Sequence, residues 1–174
     1  MKLIELGQMN ELIVHGEDQK GFILNDPISD DTAFLPAPSD NIEINIDDRI
    51  SVFVYLDNDN NMIASIKRPY ATVGEYALLT AVESLRIGAF FDWGISKDLF
   101  VPDNEQRDRI YEGDQIIIRA CLDERTEKVY GTTKIGKYIK ASQFDIKEVI
   151  RFPLFQQRKK TWVTDQLSIK NLSE

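Results

Sequence analysis

The sequence has few of the residue types on which most catalytic and metal sites depend. Cys121 is the only cysteine, which excludes a disulfide within the chain, and His15 is the only histidine. Because the two lie far apart, we interpret His15 as a structural residue at the end of an apolar strand and Cys121 as a small half-buried residue. The sequence also lacks a phosphate-binding glycine loop and a Gly-x-Ser-x-Gly nucleophile motif. We therefore predict that the chain is not an enzyme and uses no metal or other cofactor.

Long apolar runs are missing too. No stretch approaches the roughly 18 apolar residues that a membrane-spanning helix needs. The first twelve residues lack the apolar segment of a signal peptide. We expect a cytoplasmic protein with no membrane partner.

Positive charge is scarce in the first third of the chain. Residues 1–66 carry 3 basic and 13 acidic side chains, a balance of −10. Residues 67–138 carry 11 and 12, a balance of −1, and residues 139–174 carry 7 and 4, a balance of +3, which together give the net charge of −8. An acidic surface repels the phosphate groups of nucleic acids. Any nucleic-acid site should therefore be local and lie outside the first third.

The chain contains a weak internal repeat with a shift of 66 residues. The segment 34–36 (FLP) falls on 100–102 (FVP), and 48–52 (DRISV) falls on 114–118 (DQIII). Gly21 falls opposite Gly88 when one residue is inserted. A unit of this size, made of short strands, is typical of a five-stranded OB barrel. We predict an all-β fold of two tandem five-stranded OB barrels, residues 1–68 and 69–137, followed by a divergent tail or a truncated third domain at 138–174.

Alternating apolar residues and polar turns predict five strands in each unit. In the first unit the strands lie near 10–15, 20–25, 32–36, 49–56 and 62–67. In the second unit they lie near 76–83, 86–92, 98–101, 114–122 and 128–134. We expect a short helix in each barrel, at 103–111 in the second, and a partly helical tail with a helix at 141–151.

The densest aromatic stretch is residues 86–102, which contain Phe90, Phe91, Trp93 and Phe100. A period of two places Ile87, Ala89 and Phe91 toward the core, and Arg86, Phe90 and Asp92 on the outer face. A phenylalanine beside an arginine on an outer face is a candidate platform for base stacking. The alternatives left open are that Phe90 packs against the neighbouring barrel and that Trp93 is partly buried in a turn.

The segment GAFFDWGISKDLFVP at 88–102 closely resembles the signature of the conserved virulence factor B (CvfB/YitL) family. The resemblance extends over about residues 1–138, through YLDNDNNMIASIKRP and GDQIIIRACLDERTEKVYGT. These bacterial proteins are built from tandem S1-type OB domains that bind RNA. The family usually continues with a third S1-like domain and a C-terminal winged helix. Neither is expected in this chain, which would be a natural short form or a truncation.

The resemblance implies binding of single-stranded RNA by the second barrel and a role in post-transcriptional regulation of gene expression, including virulence. S1 domains commonly place RNA-contacting aromatics in a Phe-Gly-Ala-Phe segment and a histidine in a later strand. Here that segment is 87–90 (IGAF), which keeps one aromatic, and Val101 takes the place of the histidine. The predicted site residues, as stacking rings or phosphate contacts, are Arg86, Phe90, Trp93, Lys97, Arg119, Lys128 and Tyr130. The alternative is a protein-interaction adaptor whose barrels have lost nucleic acid, with the acidic first domain docking a protein partner.

Overall fold

The computed structural model of the protein describes residues 4–29, 31–37 and 42–138. Their regular structure consists of ten strands and two single turns of 3-10 helix, at Asp103–Glu105 and Ile135–Lys137. The first five strands are β1 (Gln8–Asp18), β2 (Gly21–Asn25), β3 (Thr32–Pro36), β4 (Arg49–Leu56) and β5 (Met62–Ser65). The next five are β6 (Tyr76–Leu85), β7 (Gly88–Phe91), β8 (Leu99–Pro102), β9 (Gln115–Leu122) and β10 (Val129–Thr132). Apart from Tyr138, the predicted tail with its helix at 141–151 lies outside the described residues.

The first five strands form a closed barrel in the order β1-β2-β3-β5-β4. Every pair is antiparallel except β3 with β5, where Phe34 lies opposite Ile63 in a parallel pair. Inward-facing aliphatic side chains from all five strands fill the barrel, including Leu12, Leu24 and Val52. This arrangement is that of an OB barrel.

The last five strands form a second sheet in the order β10-β9-β6-β7-β8. This sheet curls until its two edge strands, β8 and β10, lie side by side. A side chain at Gly131 on β10 would come within 2.8 Å of Val101 on β8, so the two edges meet by side-chain contact. The prediction of an all-β fold with two five-stranded barrels is confirmed.

The internal repeat is visible in the strand pairing. Gly21 begins β2 opposite Pro36, and Gly88 begins β7 opposite Pro102. At either glycine a Cβ atom would collide with a backbone carbonyl of the facing strand. Glycine is needed at both positions for the same steric reason, which explains why the sequence alignment pairs them.

The two barrels share a core. Val52 and Val54 on β4 point into the first barrel, whereas Phe53 and Tyr55 on the same strand are buried among core residues of the second barrel. Both barrels fall in one compact unit of the chain. Successive side chains of β4 therefore belong alternately to the two cores, because the second barrel covers this part of the outer face of the first.

The predicted start of one strand and the predicted orientation of Ile87 are wrong. The predicted strand at 86–92 begins at Gly88, and Arg86 and Ile87 form the β6–β7 turn because Leu85 and Gly88 are the last cross-strand pair. Ile87 is 67% exposed rather than inward-facing.

The helix predicted over 103–111 is a single 3-10 turn. Side chains from outside the segment accept hydrogen bonds from backbone N–H groups that a helix would use. The Arg107 N–H donates to Thr133 Oγ1 at 2.7 Å, and the Tyr111 N–H donates to Asp114 Oδ2 at 2.8 Å. In the first barrel, the described part of the β3–β4 connection contains a turn at Asn45–Asp48 where a helix was expected. Within the described ranges, no helix is long and apolar enough to span a membrane.

Candidate functional site

The outer face of the second barrel presents a pair of phenylalanine rings. Phe90 on β7 and Phe100 on β8 lie directly opposite each other, with ring centroids 4.9 Å apart and planes inclined by 41°. Both side chains are half-buried. Phe90 faces outward as predicted, and this ring contact lies within its own barrel. Phe100 was not selected from the sequence, although its place in the repeated segment and its pairing with the β7 strand were readable there.

The surroundings of this ring pair carry charge of both signs. Glu83 on β6 lies opposite Phe90, and Asp92 and Asp98 follow β7 and precede β8. Burial, together with the negative charges of Asp92 and Glu83, raises the pKa of the Asp98 carboxyl. Arg86 is exposed in the turn at the opposite end of β7. The aromatic pair therefore lies between an acidic end and an arginine.

Trp93 is not part of this surface. Its side chain is 1% exposed, its indole N–H donates to the carbonyl oxygen of Ala71 at 2.8 Å, and its ring meets Phe53 edge-on at 5.1 Å between centroids. A ring enclosed on all sides cannot stack on a base. The prediction of Trp93 as a binding residue is corrected, since the shared core between the barrels buries it.

Lys97 and Lys128 each make a contact with the first barrel. The Lys97 ammonium donates to the carbonyl oxygen of Leu56 at 2.9 Å and lies 5.2 Å from the ring centroid of Tyr55. Burial lowers the pKa of Lys97. The Lys128 ammonium donates to the carbonyl oxygen of Asn58 at 3.0 Å. Both lysines join the second barrel to the end of β4 and the turn after it in the first barrel.

Arg119 and Tyr130 belong to a packed cluster on the other side of the second barrel. The Arg119 guanidinium lies 4.1 Å from the ring centroid of Tyr138 and 5.7 Å from that of Tyr76, and its Nη1 is 3.2 Å from Cys121 Sγ. Tyr130 lies opposite Cys121 on the paired strand, and burial with the nearby Cys121 and Tyr138 raises the pKa of its hydroxyl. The guanidinium is thus already in contact with two tyrosines. Of the predicted residues, Phe90 lies on β7 and Arg86 in the turn that precedes this strand, whereas Trp93 is buried and Arg119, Tyr130, Lys97 and Lys128 make the contacts described above.

Comparisons with known proteins agree with this architecture. A family model described as the S1 domain matches residues 6–67, the range that contains the first barrel. Over 96 residues the chain is 30% identical to YitL of Bacillus subtilis (strain 168), which covers 55% of this chain and 32% of YitL. A crystal structure described as a multidomain protein with nucleic acid binding domains, from Streptococcus pneumoniae TIGR4, matches with a TM-score of 0.64 at 17% identity. That match covers 76% of this chain and 47% of the streptococcal chain.

The chain therefore spans about a third of YitL and about half of the streptococcal protein. The fold defines a protein with two OB barrels, and the residues of the first match the S1 domain model. Within this class the chain is similar to YitL over 96 residues, in keeping with the predicted resemblance to the conserved virulence factor B (CvfB/YitL) family.

Proposed function

We propose that this protein binds single-stranded RNA through the outer face of its second barrel and acts in post-transcriptional regulation of gene expression. The observation that carries the proposal is the Phe90–Phe100 pair, two rings side by side on an OB barrel. The S1 match over the first barrel and the likeness to a streptococcal protein described as having nucleic acid binding domains support nucleic-acid binding in general. In the repeated first barrel, the positions of this pair hold Ile23 and Phe34.

The two rings provide a stacking surface that does not depend on base identity. Stacking of a base on an aromatic side chain contributes about 1–3 kcal/mol and tolerates any sequence, because every base has a flat π-face. Arg86 at the end of β7 supplies a positive charge for a neighbouring phosphate. The expected binding is therefore sequence-tolerant.

The outer face of the first barrel is poorly suited to RNA, because it lacks the pair of aromatic rings and lies in the acidic part of the chain. Ile23 replaces one ring of the pair, and residues 1–66 have a balance of −10. The first barrel instead holds the second through the lysine contacts to Leu56 and Asn58 and through the shared core. Its role in the proposed function is to orient the binding barrel.

Fluorescence anisotropy with a labelled single-stranded RNA tests the proposal. Phe90→Ala removes one stacking ring, and we expect the dissociation constant to rise by roughly 5- to 150-fold, the equivalent of the ~1–3 kcal/mol per stacked base. Phe34→Ala is the matched control, because Phe34 takes the place of Phe100 in the first barrel and is also partly buried. Equal effects of the two substitutions, in variants with intact folds, would contradict the proposal.

A protein-interaction adaptor is the second candidate. Glu83, Asp92 and Asp98 lie close to the ring pair, and two lysines predicted as phosphate contacts are used between the barrels. An apolar pair with an acidic border suits a basic protein segment better than a polyanion. Absence of RNA binding by the wild-type protein at low salt would favour this candidate.

A further inference from the structure

An open cleft of about 640 Å³ lies between the β6–β7 turn and the segment that follows β8. The turn supplies Arg86 to one wall, and the segment 103–110 supplies Arg107 and Arg109 to the other. These three residues define what we call the arginine cleft. Arg107 and Arg109 are not among the site residues predicted from the sequence, where this segment is expected to be a short helix.

The backbone of the cleft is fixed without the use of the guanidinium groups. Ser84 Oγ donates to the carbonyl oxygen of Ile110 at 2.8 Å, which ties the two walls together, and the Ile110 side chain is buried. The backbone N–H of Arg107 donates to Thr133 Oγ1 at 2.7 Å, and Gln106 Nε2 donates to the carbonyl oxygen of Val101 at 3.1 Å. The positions from which the arginines extend are therefore set in advance of any ligand.

The three guanidinium groups are little engaged. Within the described part of the chain, no hydrogen bond or ion pair involves the Arg86 side chain, and the Arg109 guanidinium contacts the ring of Tyr111 at 5.3 Å. Arg107 Nε lies 3.7 Å from Asp108 Oδ2, but these side chains are 60% and 83% exposed. An exposed pair of this kind contributes only about 0–1 kcal/mol, so a phosphate can displace it.

Four lysines of this barrel already donate a hydrogen bond or form an ion pair. Lys97, Lys128 and Lys134 donate to backbone carbonyls, and Lys137 pairs with Glu105. The arginine cleft has three positive charges against the two carboxylates of Asp103 and Asp108, in a chain with a net charge of −8. The cleft therefore carries a local excess of positive charge on an otherwise acidic protein.

We propose that the arginine cleft binds the phosphodiester backbone of the nucleic acid whose bases stack on Phe90 and Phe100. This inference rests on the proposed function and adds a second contact region to it. Arginine suits the role because its planar fork donates two hydrogen bonds to one phosphate. Phe90 follows Arg86 by four residues, a span of at most about 13 Å of extended chain, so one oligonucleotide can reach both.

The phosphate groups belong to a polynucleotide rather than to a free nucleotide. The arginines extend from two walls of an open cleft, which matches successive phosphates of a strand. A single nucleotide is normally held in an enclosed pocket that buries most of its surface. Competition by adenosine monophosphate distinguishes a polynucleotide from a free nucleotide as the source of the phosphate groups.

The test is a salt titration of RNA binding by the full chain, with a labelled single-stranded oligonucleotide. The double variant R107Q/R109Q should bind several-fold more weakly, and the log–log salt slope should become shallower by about 1.4, at ~0.7 per lost phosphate contact. Arg125→Gln is the control, because it removes an exposed positive charge from the β9–β10 turn, outside the cleft. Its affinity and slope should match those of the wild type, and thermal melting should show that all variants are folded.

The outcomes test the arginine cleft, the proposed function and the polynucleotide assignment separately. Binding that is lost in Phe90→Ala but keeps its full salt slope in R107Q/R109Q would overturn the arginine cleft and leave the proposed function in place. Absence of RNA binding by the wild type would overturn both. Complete displacement of the RNA by millimolar adenosine monophosphate would show a mononucleotide site and contradict the polynucleotide assignment.

Discussion

Trp93 of the second barrel meets Phe53 of the first edge-on, with ring centroids 5.1 Å apart. The indole N–H also donates to the carbonyl oxygen of Ala71, in the link between the barrels. Both side chains are fully enclosed. This contact makes the outer face of one barrel part of the core of the other, and it takes the tryptophan out of the binding surface.

Trp93→Ala should destabilise the protein strongly. Truncating a buried tryptophan leaves a large cavity, and the free energy of unfolding should fall by about 3–5 kcal/mol. Urea denaturation followed by circular dichroism measures the change. A loss below about 1 kcal/mol would show that Trp93 is not enclosed between the barrels.

Lys97→Met should change stability little and leave the electrostatics of RNA binding unchanged. The substitution removes the hydrogen bond to the Leu56 carbonyl, which costs about 1 kcal/mol, but it also removes a charge that burial disfavours, since burial lowers the pKa of Lys97; the free energy of unfolding should therefore change by less than about 1 kcal/mol. The salt slope of RNA binding should equal that of the wild type. A slope shallower by ~0.7 would indicate that Lys97 contacts a phosphate after all.

Gly88→Ala should be poorly tolerated. A Cβ atom at this position collides with the Val101 carbonyl and with the Phe100 ring. We expect the free energy of unfolding to fall by more than about 2 kcal/mol in a urea titration. Gly136→Ala is the control, because a Cβ atom there has no neighbour within 4 Å, and its stability should match that of the wild type.

Asp98→Asn should stabilise the protein and tighten RNA binding at neutral pH. Burial and the nearby Asp92 and Glu83 raise the pKa of Asp98 above its ordinary value of 3.8, so the folded state holds this proton more tightly than the unfolded chain. The ionised carboxylate thus lowers stability above the folded-state pKa, and this penalty vanishes below pH about 3.8. Urea denaturation at pH 3 and pH 7 should show a gain for the variant only at pH 7. A gain at pH 3 as large as at pH 7 would contradict this explanation.

The sequence predicts the fold well because the determinants of the fold are local and repeated. The alignment of Gly21 with Gly88 in the internal repeat indicates two barrels, in which each glycine faces a proline of the next strand. The alternation along β7 predicts that Phe90 faces outward and that Phe91 is buried. The inward orientation predicted for Ile87 is wrong because this residue lies in the tight turn before Gly88, outside the strand.

The site is less predictable, since it depends on how the barrels pack. Nothing in the local pattern shows that Trp93 is covered by Phe53, or that Lys97 and Lys128 reach carbonyls that precede them by 41 and 70 residues. The residues at 103–111 favour a helix, so the sequence does not predict the cleft. In the structure, side-chain acceptors on Thr133 and Asp114 take the backbone N–H groups that a helix would use.

The most direct test of RNA binding by the second barrel is photo-crosslinking. A single-stranded RNA containing 4-thiouridine is irradiated with the full chain, and the modified peptides are identified by mass spectrometry. The account predicts crosslinks within residues 86–102, at or beside Phe90 and Phe100. Crosslinks confined to residues 21–36 of the first barrel, or no crosslink at low salt, would contradict it.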